Sequence, residues 1–140
     1  MKTVMTVALA AVLLGVMACA PKSDPAAEKA AVDAAQEWLA LVDQGRYAES
    51  WDESSAYFQN AMEKDKWQAA LQAVRNPLGK IIERKVKSSR YATSLPGAPD
   101  GAYVVIQFQA RFENKESAVE TVTPMRDQDG RWRVAGYYIK

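Results

Sequence analysis

From residue 31 onward, apolar side chains fall at Ala31, Ala34, Ala35, Trp38, Leu41 and Val42, the spacing of one face of a helix. Asp24-Pro25 supplies an N-cap and a proline for the first turn, and Gly45 stands where the helix would end. A short helical segment follows from Tyr47 to about Ser54. A third runs through Phe58, Ala61, Met62, Trp67, Ala70, Leu71 and Val74, and Asn76-Pro77 with Gly79 stops it. Beyond Gly79 the period falls to two. Ile81 to Leu95 reads as a long strand, and Pro96-Gly97-Ala98-Pro99-Asp100-Gly101 as its connection. Tyr103 to Phe112 then alternates, with Val104, Ile106, Phe108, Ala110 and Phe112 on one face and Tyr103, Val105, Gln107, Gln109 and Arg111 on the other. Ser117 to Met125 forms the next strand, where Pro124 implies an edge position or a bulge. The last strand is Arg131 to Ile139, and strict alternation puts Trp132, Val134, Gly136 and Tyr138 on a shared face. Helices followed by a meander give an α+β domain, with N-terminal helices packed on a curved antiparallel sheet of about four strands.

The segment before this domain has a different character. Thr3 to Ala18 is apolar, follows the single charge of Lys2, and is shorter than the roughly 20 residues of a spanning helix. It reads as a signal peptide, residues 1–18. Cys19, the chain's one cysteine, closes Leu14-Gly15-Val16-Met17-Ala18-Cys19, which resembles a bacterial lipobox. The resemblance implies cleavage before Cys19 and acylation of that residue. The other reading, an ordinary cut after Ala20, falls before Pro21 and would leave a secreted protein with a free thiol. Ala20, where an aspartate would retain a lipoprotein at the inner membrane, favours the outer membrane facing the periplasm. Residues 19–24 form a tether reaching less than about 20 Å at ~3.5 Å per residue. They leave 25–140 as one domain held close to the bilayer through its lipid.

Composition then narrows the chemistry. The chain contains no histidine, so His-based triads, His metal sites and His pH switches are excluded. No second cysteine exists to form a disulfide within the chain. Apart from Lys2, basic and acidic residues balance at seventeen each, which gives nucleic acid no net electrostatic attraction. They are unevenly spread: residues 22–65 hold ten acids against four bases, and 66–140 hold thirteen bases against seven acids. The plainer account of that asymmetry is that opposite signs face each other or solvent. Asp127-x-Asp129-Gly130 has part of a calcium-loop pattern but lacks the downstream glutamate, and a hairpin turn accounts for it. No metal or cofactor is expected.

The order of elements resembles the nuclear transport factor 2-like or cystatin-like fold, which implies a cone with a pocket between helices and sheet. More specifically, Trp38-Leu39, Val42-Asp43-x-Gly45-x-Tyr47, Ser50-Trp51, Trp67, Arg75-Asn76-Pro77-Leu78-Gly79 and Arg84 are similar to the bacterial domain of unknown function 4019 family. So are Leu95-Pro96-Gly97-x-Pro99-Asp100-Gly101-x-Tyr103-Val104-Val105, Glu120-Thr121-Val122 and Asp129-Gly130-x-Trp132-Arg133-Val134-x-Gly136-Tyr137-Tyr138. That resemblance implies an exported or lipid-anchored bacterial domain and carries no activity with it.

Two functional readings follow. The first is a non-catalytic module for a ligand or a partner. Its candidate pocket residues are Trp132, Tyr138, Glu120 and Arg75, and its candidate dimer or envelope-protein face is Tyr103, Val105 and Gln107. The second is a small hydrolase, isomerase or lyase built on a pocket carboxylate of raised pKa, with Glu120 and Arg75 or Arg84 as the arithmetic candidates. A buried Glu–Arg pair of that kind more often closes a helix layer onto a sheet.

Overall fold

Residues 23–140 are described in a computed structural model. Residues 1–22, where the expected signal peptide and Cys19 fall, lie outside the described residues. Helix α1 spans Pro25–Asp43, and the Asp24 carboxylate accepts the Ala27 N–H at 3.0 Å as its N-cap. Gly45 ends it at φ 75°, and the N–H of Arg46 returns to Leu41 at 2.9 Å while that of Gly45 reaches Val42 at 3.0 Å. Its buried face is Ala31, Ala35, Trp38, Leu39 and Val42. Leu39 is fully buried where the spacing pointed to Leu41, because Ala34 and Leu41 lie on the flank that borders a surface cleft.

Helix α2 is Tyr47–Asp52. The third helical stretch is not one helix but two, α3 at Ala56–Ala61 and α4 at Lys64–Arg75. Met62 and Glu63 are extended between them, and the Met62 carbonyl, freed from a helix, accepts the Trp51 indole N–H at 2.7 Å. The break brings Trp67 edge-on to Phe58, ring centroids 4.9 Å apart. Trp67 and Trp38 donate to Ser50, through its Oγ at 3.0 Å and its carbonyl at 2.8 Å, so these two buried indoles are satisfied as core.

Four antiparallel strands follow in the order β1 (Ile81–Ala92), β2 (Tyr103–Phe112), β3 (Lys115–Arg126) and β4 (Trp132–Ile139), each paired with the next. The α+β architecture is as the periodicity indicated. β1 ends at Ala92 rather than Leu95, since the connection begins there and the Thr93 carbonyl takes the Gly101 N–H. Pro124 sits in an interior strand at a bulge: Thr123 pairs with Gly136 but Pro124 with Val134, leaving Ala135 as an extra residue on β4. The extra residue inverts the alternation. Trp132 and Val134 share the helix-facing side with Tyr137 and Ile139, not with Gly136 and Tyr138, and Tyr138 is turned outward at 52% exposure.

Gly79 closes the passage into the sheet at φ 73° and ψ −161°, a region essentially restricted to glycine, and a Cβ there would stand 3.0 Å from Cβ of Glu113. Gly79→Ala is expected to lower stability by about 2–3 kcal/mol. Gly45→Ala, with open space around it, should lower it by only about 1–2 kcal/mol. Urea denaturation of the two variants compares them.

Candidate functional site

The helix-facing side of the sheet carries a row of small residues, with Ala110 of β2 paired to Ala118 of β3 and to Arg84 of β1. Missing side-chain volume there leaves room for guanidinium groups. Arg84 enters it from the sheet and Arg75 from the last turn of α4, with the Arg75 guanidinium 4.8 Å from the centre of the Phe112 ring. Asp43 closes α1, and its carboxylate takes both Arg84 Nη atoms at 2.7 and 2.9 Å and Arg75 Nη2 at 2.8 Å. Glu120, 0% exposed on β3, accepts Arg84 Nε at 2.7 Å and the Tyr137 hydroxyl at 2.6 Å. Arg75 Nη1 stands 4.0 Å from Glu120, beyond hydrogen-bond reach, and both it and Arg75 Nε are buried without a partner.

Two carboxylates and two guanidinium groups cancel in charge, which is what allows the cluster to be buried at all. Burial opposes ionisation of Asp43, but the hydrogen bonds and charges of Arg84 and then Arg75 outweigh it and hold its carboxyl below the usual range. Burial likewise works against the Arg84 cation, and its bonds to Asp43 and Glu120 reverse that and raise it. Tyr137 is pushed up by burial first and then by the adjacent Glu120 charge, so the phenol stays protonated and donates.

The four candidate pocket residues do not converge. Glu120 and Arg75 meet in this cluster. Trp132 lines a cleft of about 350 Å³ between α1, α2 and the start of β4, with Ala34 and Leu41 on its apolar wall and Glu37, Glu53 and Arg131 around it. Tyr138 borders a separate apolar groove of about 210 Å³ with Trp67, Val74 and Ile139. Two further clefts lie against the turns, of about 600 Å³ beside Tyr57 and Asp100, and against the outer face, of about 150 Å³ beside Lys85 and Gln109. None of these four is lined by Asp43, Arg75, Arg84 or Glu120, and of the cluster only Tyr137 borders one, the groove beside Tyr138.

On the outer face, Val105 and Gln107 are half-buried, while Tyr103 is enclosed beneath the β1–β2 connection, its ring against Gly101 and its hydroxyl donating to the Pro99 carbonyl. The acidic turn before β4 is occupied by Arg133, which reaches Asp127 at 3.0 Å and Asp129 at 2.8 Å, and those bonds hold Asp129 down to about 2. Asp43, expected mostly off the apolar face of the first helix, and Tyr137, expected only as one of several aromatics that could line a pocket, are the members of the cluster absent from the sequence's candidate site residues. Asp43 lies four residues beyond Leu39 on the buried face, a usable signal, whereas Tyr137 was hidden by the bulge that Pro124 marks.

A family model described as protein of unknown function (DUF4019) matches residues 34–137, a span containing every member of the cluster. No curated protein matches the chain.

Removing one partner from the cluster strands a buried charge. Glu120→Gln and Arg84→Met are each expected to lower stability by about 3–5 kcal/mol in urea denaturation at neutral pH. The pH dependence has two signs. Asp43 is lowered, so its stabilisation is full above the ordinary carboxylate range and is lost as pH falls through and below it. Tyr137 is raised, so its contribution is full below the ordinary phenol value near 10 and is lost as pH rises beyond it. Tyr137→Phe should therefore lose less stability than the parent chain between neutral and strongly alkaline pH.

Proposed function

The chain belongs to the DUF4019 family of proteins of unknown function, and we propose, from the Leu14–Cys19 pattern and the geometry of the domain, a lipid-anchored envelope protein whose domain binds without catalysing a reaction. The observation that carries this reading is the saturation of the two buried carboxylates. Asp43 is held by the guanidinium groups of Arg84 and Arg75, Glu120 by that of Arg84 and the Tyr137 hydroxyl, and neither carboxylate lines any of the four clefts. A hydrolase, isomerase or lyase would need a carboxylate free to exchange a proton with a substrate, poised near working pH. Asp43 is shifted the opposite way. The cluster serves as structure, tying the helix layer to the sheet.

Binding is better supported at the Trp132 cleft. An indole wall beside Leu41 and Ala34 suits the face of a sugar-like ring, and Glu37, Glu53 and Arg131 offer acceptors and donors for hydroxyl groups. A protein partner or a second copy is the other occupant within this reading, on the outer sheet face at Val105 and Gln107. The anchor is acylated Cys19, supported by the Leu14–Cys19 pattern, and the outer membrane facing the periplasm is its location. One acyl chain gives only marginal attachment, so stable retention calls for more than one chain on that cysteine.

Cys19→Ser is expected to move the protein from the membrane fraction to the soluble fraction; firm retention overturns the anchored reading. Native mass spectrometry of the same Cys19→Ser chain separates the two binding modes. A monomer carrying a reproducible small-molecule adduct that Trp132→Ala abolishes supports the cleft. A dimer without adduct that Val105→Glu dissociates moves the binding surface to the sheet. An unliganded monomer in both cases sinks the cleft and the dimer together.

A further inference from the structure

Strand β1 is a free edge of the sheet, and it is irregular twice. Register shifts between Ile81 and Glu83 and between Val86 and Ser88 leave Ile82 and Lys87 as extra residues. Ile82 is 51% exposed and Val86 44%. Between and beside them Lys80, Lys85, Lys87 and Arg90 are all exposed. Within this stretch the exposed carboxylate is Glu83, 3.1 Å from Lys85 and 3.8 Å from Arg111; Glu116 and Glu113 of the next hairpin stand beside Lys85 and Lys80, whereas Lys87 and Arg90 form no ion pair among the described residues. Bulges and lysines guard an edge against strand addition. That accounts for the cations but not for two branched apolar side chains left in water among them.

Lys85 and Arg90 pair with Gln109 and Val105 of the outer face and Val86 with Phe108 of the helix-facing side, so cations and short apolar side chains flank the same edge from both faces, an arrangement that suits the interface of an anionic bilayer met edge-on. Ammonium and guanidinium groups reach phosphates there, while the apolar groups enter the acyl boundary. The unpaired main-chain groups of an edge strand keep it at headgroup depth, since hydrocarbon would leave them unsatisfied. The path of the chain agrees. Glu28, in the first turn of α1, accepts the Tyr91 N–H at 3.3 Å, so the start of α1 lies against the end of β1. Asp24 is about 6 Å further along at 1.5 Å per residue, and the tether from Cys19 adds less than about 20 Å.

We propose that the β1 edge, through Ile82, Lys85, Val86, Lys87 and Arg90, is a docking surface for anionic phospholipid that orients the domain on the membrane. The orientation rests on the anchored reading; the charge-dependent contact stands without it. The acylated full-length protein is reconstituted into vesicles of phosphatidylcholine, alone or mixed with phosphatidylglycerol, and followed by flotation and amide hydrogen exchange. It should float with both, and exchange over residues 81–90 should slow only on the anionic vesicles. High salt or Lys87→Glu with Arg90→Glu should reverse that slowing without releasing the protein. Equal exchange on both vesicle types, with flotation intact, overturns the docking surface. Failure to float overturns the anchor instead. Docking is then read from the full chain carrying Cys19→Ser, which should cosediment with anionic vesicles at least about thirtyfold more tightly than the same chain carrying the two charge reversals. Equal cosedimentation also overturns it.

Discussion

Arg84 is the point at which the two layers of this domain are joined. One guanidinium group bonds Asp43 at the end of α1 and Glu120 on β3, and Arg75 adds the end of α4 to the same carboxylate of Asp43. Hydrophobic contact alone would let helices slide over a sheet, because apolar burial has no direction. Five hydrogen bonds from two guanidinium groups and a phenol fix the register of five elements at once. Their strength as a constraint comes from the cost of breaking them, since any partner removed leaves an opposite charge out of water.

That arrangement depends in turn on an irregularity in the sheet. Tyr137 reaches Glu120 only because Ala135 is an extra residue opposite the Thr123–Pro124 step. Proline has no N–H to give to a ladder, so the strand that holds Pro124 in its interior must distort there. The distortion returns an aromatic side chain to the core, 5.4 Å from Trp38 between ring centroids, and puts Tyr138 outside. A residue commonly read as damage to a strand thus sets which tyrosine completes the buried network and which stands exposed, although both border the groove beside Trp67.

The uneven charge of the chain finds two outlets. Asp43, from the acidic first half, is neutralised by Arg75 and Arg84 from the basic second half, inside the domain. Outside, the edge strand keeps cations in excess, with Glu83 the acid between Lys80 and Arg90. The buried pairs are insulated from salt, whereas the edge is exposed to it.

Much of this was legible in the residues themselves. Asp24-Pro25, Gly45, Asn76-Pro77-Gly79 and the alternation of Tyr103 to Phe112 are local signals, since caps, positive φ and pleat depend on neighbours in the chain. They determined the α+β order, the ends of α1 and the core face of β2. The break at Met62, the inversion after Ala135 and the enclosure of Tyr103 were decided elsewhere. Each depends on a partner outside its own element, which no local periodicity registers: the Trp51 indole, the Pro124 bulge and the connection at Pro99. The site follows the same rule. A sequence names Glu120, Arg75 and Arg84 as charges, but whether a carboxylate is a reagent or a brace depends on what surrounds it in space. Only the fold brought Asp43 and Tyr137 against them, because a buried charge must be satisfied by whichever groups the packing places within hydrogen-bond reach.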